Sequence, residues 1–233
     1  MRNLLLFLLS HKTLANLRWD LHMIKVRFVN WISRSDNKLR SFVRSRTSPV
    51  YLNLGSGPRG LDVSNWVNVD AFPDTNVHFL LDFNRTMPFE DQTLDGVFCE
   101  HVVEHFAFED GRRMLGEICR ALKKGGVARI IVPDAAWVMR SYFDQPDLLI
   151  RHRAGEETNP SAEQIPMEIV NQYFRQRYEH HFLYDFASME KMLKQAGFAE
   201  VKHLTFKQSA MCPELVLDHP KYQIESLYVE ARK

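Results

Sequence analysis

Two short stretches hold most of the residues able to do chemistry. The first is Gly55-Ser56-Gly57-Pro58-Arg59-Gly60, which directly follows the apolar run Pro49-Val50-Tyr51-Leu52-Asn53-Leu54. Glycine is needed where a backbone turns sharply or approaches a ligand too closely for a Cβ, and G-x-G-x-x-G leaving a strand is a form that such turns take around nucleotides. A plain glycine-rich turn explains the pattern equally well, so it needs company. The second stretch is Glu100-His101-Val102-Val103-Glu104-His105, with His180 and His181 further along. Carboxylates and imidazoles at such density can move protons near neutral pH. His101 to His105 also spells H-x-x-E-H, a metalloprotease signature. That motif requires a zincin-type helix and another ligand, whereas here it leaves an apolar run that reads as a strand.

The elements that must position these groups are legible as a series of strands ending in polar residues. Trp66 to Asp70, Val77 to Phe83 and Leu94 to Cys99 come after the glycine turn in order. In a doubly wound sheet ligands sit beyond the carboxyl ends of the strands, which is where Asp70, Asp82 and Glu100 fall. Asp70 can accept from both ribose hydroxyls, and Asp82 from an adenine amino group while Phe83 covers the ring. Spacing narrows the ligand. A nicotinamide fingerprint places its acid about 20 residues beyond the glycines, but Asp70 comes ten after Gly60. The helix whose N-terminus would bind a pyrophosphate is therefore very short or absent, and a nucleoside with an uncharged linkage does not need it.

Taken in order, Leu52 to Gly57, Asn68-Val69-Asp70, Met87-Pro88-Phe89, Leu94 to Val97, Glu100 to His105, and Leu122 to Gly126 through Pro133-Asp134 resemble the class I S-adenosylmethionine-dependent methyltransferases. More narrowly they resemble predicted methyltransferases encoded beside polysaccharide and glycan genes. The resemblance covers roughly residues 50 to 233. It implies an α/β, Rossmann-like, doubly wound seven-stranded sheet with its last strand antiparallel, and S-adenosylmethionine as cofactor, while the three cysteines separately fit a reducing, cytoplasmic setting. It assigns the cofactor to Asn53, Gly55, Ser56, Gly57, Asp70, Asp82, Phe83, Glu100 and His101. Asn53 stands where many relatives carry an acid, so the methionine ammonium would rely on the Gly55 and Glu100 backbone carbonyls or on water.

A methyl on sulfonium is already activated, and the protein must chiefly orient an acceptor and take its proton. His105 is the first candidate for the base and His181 the second. The absence of an Asn/Asp-Pro-Pro-aromatic motif and the placing of Cys99 inside a strand favour a hydroxyl acceptor, such as a sugar, glycan or other small molecule. Glu-His pairs hold a divalent ion in some quinone and RNA methyltransferases, but His101 replaces the expected first Glu, and no metal is assigned. A catalytically silent scaffold and an RNA methyltransferase are the alternatives.

The flanking regions have their own character. The 233 residues, 45% apolar and 25% charged, suit one generous globular domain, and three cysteines make neither a disulfide framework nor a zinc pattern. Residues 1–48 carry ten Lys/Arg against two Asp/Glu, while the rest carries twenty against twenty-seven. Leu4 to Leu9 are too few to span a bilayer. Leu14, Leu17, Leu21, Ile24, Phe28 and Trp31 form a helical stripe beside cations. Such a helix can pack on the body, or lie peripherally on an anionic membrane, a nucleic-acid contact being the least favoured. Residues 33–48 read as a solvated linker, 49–233 as the methyltransferase domain, and 144–182 as a lid-like insertion.

Overall fold

A computed structural model of the chain describes residues 10–46, 48–154, 165–176 and 179–233. Two helices, α1 (His11–Ser33) and α2 (Ser35–Arg44), precede the sheet. The sheet strands are β1 (Tyr51–Leu54), β2 (Trp66–Asp70), β3 (Phe79–Leu80), β4 (Leu94–Glu100), β5 (Leu122–Pro133), β6 (Glu200–Leu204) and β7 (Ser226–Arg232). Between them lie α3 (Phe108–Ala121), α4 (Ala135–Asp144), α5 (Pro146–Ala154), α6 (Pro166–Arg175) and α7 (Phe186–Gln195).

The seven strands are ordered β3-β2-β1-β4-β5-β7-β6. The first five pair in parallel, and β7 runs antiparallel to both β5 and β6. This is the expected Rossmann-like sheet, with the order reversing between β1 and β4. Every residue of β1 is buried, as parallel strands covered on both faces must be. One face is packed by α3 through Met114, Leu115 and Ile118 and by α7 through Met189, Met192 and Leu193. On the other, Tyr51, Trp66, Phe98, Ile131 and Tyr228 meet Leu215 from the β6–β7 connection.

That second face also encloses a charge network. Side chains alternate across a strand, so Arg129 shares this face with Val127 and Ile131. Its guanidinium is fully buried and grips Asp218 with two bonds, Nε to Oδ1 at 2.6 Å and Nη2 to Oδ2 at 2.5 Å, while Nη1 reaches Glu230 at 3.2 Å. Asp218 accepts from the Lys207 amide, and Glu230 from those of Ala210 and Met211. The network thereby fixes the β6–β7 connection to the sheet.

Three expectations change. The stretch read as a linker is mostly α2. Leu39 and Val43, four residues apart, enter the core with Phe42 beside them, a helical triplet that the surrounding serines and cations concealed. Of the strand expected over Val77 to Phe83, only Phe79 and Leu80 pair with β2. This short strand lies at the edge of the sheet, and α1 captures its carboxyl end: Asn30 donates to the Leu80 carbonyl and Arg27 to Asp82. The lid-like insertion begins as α5, whose Leu149 packs with Val138, Ile169 and Tyr173. Residues 155–164, 177–178 and the apolar run Leu4 to Leu9 lie outside the described residues.

Helix α1 does pack on the body, but not through its apolar stripe. Met23 and Val26 are the buried residues, flanked by His22, whose Nε2 lies 2.8 Å from the Ala71 carbonyl and whose ring stacks on Phe72. The stripe Leu21, Ile24, Phe28 and Trp31 faces outward, with Trp31 76% exposed. No described helix is long and apolar enough to cross a membrane.

Candidate active site

The glycine turn lies where β1 ends, at the reversal of strand order. Gly55 has φ +74°, and a Cβ there would stand 2.2 Å from Val102 Cγ2, so both conformation and space demand glycine. Gly57 has φ +49° with no atom within 4 Å of where its Cβ would be. Its amide donates to Asp70 Oδ2 at 2.8 Å, and the Phe72 amide donates to Asp70 Oδ1 at 2.9 Å. These bonds orient the carboxylate beside the open side of the turn while leaving each oxygen a lone pair to offer. The Ser56 hydroxyl is buried without a hydrogen-bond partner. Only a three-residue 3-10 turn, Gly57–Arg59, comes next, in keeping with the short spacing to Asp70. The donor set suits a nucleoside and offers no helix terminus for a pyrophosphate.

Other residues expected at the cofactor are already engaged. Asp82 accepts from Arg27 Nε at 2.8 Å and from the Asn84 amide at 3.0 Å, and Phe83 is a core residue. Asn53 is buried within β1. Glu100 Oε1 accepts from the His219 amide at 3.0 Å, and Oε2 lies 2.5 Å from Arg59 Nη1. Arg59 therefore ties the glycine turn to the end of β4. Sequence reasoning missed Arg27, Arg59 and Tyr222, because their partners are distant in the chain.

Past β4 the backbone turns through His101 at φ +54°, a left-handed conformation costing roughly 1–2 kcal/mol for a residue with a Cβ. The turn sets His101 Nδ1 3.0 Å from Glu104 Oε1 and Nε2 3.1 Å from Ser226 Oγ, with the ring against Tyr222. Burial opposes charge on His101, but its hydrogen bond and attraction to Glu104, with Glu100 and Glu225 adding, raise it above the ordinary imidazole range. Burial likewise opposes charge on Glu104, and the histidines His101, His105 and His180 outweigh it, holding the carboxyl below its usual value.

The structure brings Glu104, His105 and His180 together, with one ligand atom of each within 4.8 Å of the others. His181, the second base candidate, is exposed, although its amide donates to the Glu104 carbonyl at 2.8 Å. Two adjacent histidines look equivalent in sequence, and only the chain's path decides which one turns inward. Tyr184 is fully buried, and burial together with the Glu104 charge raises its phenol well above the ordinary value. Cys99 is also fully buried, and desolvation with the Glu104 and Glu100 charges keeps its thiol well above the usual range, so it serves the core.

Solved structures similar to this chain include a SAM-dependent methyltransferase of Archaeoglobus fulgidus (15% identity, TM-score 0.47, 88% of this chain and 98% of that one). A possible histamine N-methyltransferase of Thermotoga maritima shows 17% identity and TM-score 0.47, over 89% and 96%. A Haemonchus contortus phosphoethanolamine N-methyltransferase, solved with S-adenosylmethionine, shows 15% and 0.47, with 86% of this chain covering 52% of that one. No curated protein matches the chain. A match to the family described as "Methyltransferase domain" extends over residues 39–203, from within α2 to β6. With that match across most of the strand series, the chain belongs to the methyltransferase domain family.

Proposed function

We propose that the protein transfers a methyl group from S-adenosylmethionine to a hydroxyl of a sugar, glycan or other small acceptor. The observation carrying the cofactor assignment is the Asp70 carboxylate, held by the Gly57 and Phe72 amides beside the open glycine turn. When bound, S-adenosylmethionine supplies an activated methyl group. The chain's task is then to hold the nucleoside through Asp70 and the Gly55–Gly57 turn, and to orient an acceptor near His105. Calorimetric titration with S-adenosylmethionine and with NAD, followed by a labelled-methyl screen of sugars and glycans, tests the proposal. Saturable S-adenosylmethionine binding and a base-stable ether product are expected. NAD binding alone would remove the cofactor assignment, and product formed only on amines would remove the hydroxyl acceptor.

The outward face of α1 supports placing this activity at an anionic membrane surface. Leu21, Ile24, Phe28 and Trp31 are exposed on it, with Arg18 and Lys25 also exposed on the helix and Arg34 exposed at its C-terminal cap. Apolar burial with flanking cations is the chemistry of an interfacial helix. The arm's remaining cations are largely spent on the body: Arg27 on Asp82, Arg40 on the Pro88 carbonyl, Arg44 on Glu90 and Arg46 on the Ser64 carbonyl, which disfavours nucleic acid. The protein is expected to sediment with phosphatidylserine vesicles, and the Leu21→Asp/Phe28→Asp variant to stay in solution. Equal sedimentation of both would refute the membrane role.

A further inference from the structure

We propose that Glu104, His105 and His180 form a binding site for a divalent first-row transition ion such as zinc. This deepens, and rests on, the reading of the site as one that methylates a hydroxyl. Two imidazoles and a carboxylate within 4.8 Å of one another need only a small inward shift of their side chains to meet bonds of about 2.0–2.2 Å. The two histidines are also held in the form that a ligand requires. His105 Nδ1 lies 3.1 Å from the Glu179 carbonyl, and His180 Nδ1 2.6 Å from the Tyr173 carbonyl. A carbonyl only accepts, so Nδ1 is the donor in each ring, and Nε2 is the nitrogen left to offer a lone pair in the neutral tautomer. Carbonyl-anchored imidazoles of this kind recur around metals because the outer contact fixes both tautomer and ring direction.

The carboxylate supplies an independent observation. Glu104 is 0% exposed, and apart from the approach of His101 Nδ1 neither oxygen has a hydrogen-bond partner. His101 approaches only Oε1, so the carboxylate keeps acceptor capacity that nothing among the described residues fills, and a cation among the three groups would use it. His101 then holds Glu104 from behind, with Ser226 and Tyr222 supporting its ring. Among the described residues, three ligands are brought together. Such a site keeps positions for water or substrate, and the partly exposed His105 marks its open side.

That opening dictates the chemistry. An acceptor hydroxyl bound there loses its proton more readily: the O–H bond breaks, its electron pair stays on oxygen, and the proton passes to solvent water. His105 is then a ligand through Nε2 rather than the base, and the acceptor class narrows to hydroxyl compounds able to coordinate a cation.

The test is calorimetric titration of zinc into the full, untagged, chelator-treated chain, repeated with Co²⁺ to read its visible absorption. Wild type is expected to bind one ion, with cobalt bands of a nitrogen- and oxygen-ligated site. His180→Ala and Glu104→Gln are expected to weaken zinc at least 100-fold, while His181→Ala, one residue along with its side chain in solvent, leaves the isotherm unchanged. S-adenosylmethionine titration of each variant reports the fold and the cofactor reading separately. Absence of a stoichiometric zinc site in a chain that binds S-adenosylmethionine overturns the metal inference alone. Equal zinc loss in His180→Ala and His181→Ala, or retention in Glu104→Gln, also overturns it. Zinc binding without S-adenosylmethionine binding sustains the metal site and overturns the cofactor reading. If His180→Ala fails to fold, His105→Ala replaces it, and unaltered zinc affinity there is a refutation.

Discussion

Replacing Asp70 by alanine is expected to weaken S-adenosylmethionine binding by roughly 100-fold or more, with little change in the protein's stability. The carboxylate stands at the end of β2 with both oxygens steered by backbone amides, Gly57 on one and Phe72 on the other. A hydrogen bond from a neutral donor to a charged acceptor contributes about 1.5–3 kcal/mol, and a ribose offers two hydroxyls. Each 1.4 kcal/mol is tenfold in affinity, so loss of two such bonds exceeds a factor of 100. Asp70 is only partly buried, and the amides released can turn to water, which keeps the folding cost low. Calorimetry on wild type and variant, with thermal melts alongside, separates the two effects. An affinity within threefold of wild type would show that the cofactor's ribose lies elsewhere.

The largest stability effect is expected at Arg129. Arg129→Met leaves Asp218 and Glu230 facing each other on a fully buried face, and removing one partner of a buried ionic group typically costs about 3–5 kcal/mol. At about 2–4 °C per kcal/mol for a chain of this size, the melting temperature should fall by roughly 6–20 °C. Adding Asp218→Asn to Arg129→Met removes one stranded charge and should recover part of the loss, which a double-mutant cycle reads directly. A shift below 3 °C in the single variant, or no recovery in the double, would mean that the network contributes little beyond what the apolar packing already supplies.

The strand series and its polar ends were legible because parallel strands buried on both faces read as apolar runs, and because the carboxyl ends gather the ligand-facing residues. Hence the turn at Gly55 and Gly57 and the strand-end position of Asp70 could be placed from the sequence. Asp82 shows where that logic stops: nothing local in the sequence says that Arg27, 55 residues earlier, reaches it. The α1 stripe shows a related limit. Periodicity identified the helix but not which face the body would take, since Met23 and Val26 provide a narrower seam than the apolar residues left outside. The choice of His180 over His181 was hidden for a third reason. The inward turn of His180 depends on the Tyr173 carbonyl in α6 and on the strand-end loop bearing Glu104, contacts set by topology.

The network around Arg129 bears on the order in which the molecule can be assembled. Arg129 precedes Asp218 by 89 residues and Glu230 by 101, and among the described strands β6 has no neighbour other than β7. During synthesis β5 therefore emerges before the two acids that pair with its Arg129, and β6 emerges before the strand it must pair with. Pairings of such long sequence separation are slow to form. The early half of the sheet can close on α3 at once, whereas the face bearing Arg129 must stay wet until the final strand arrives. Collapse of that face is therefore expected to wait for Asp218 and Glu230, the two acids that complete it.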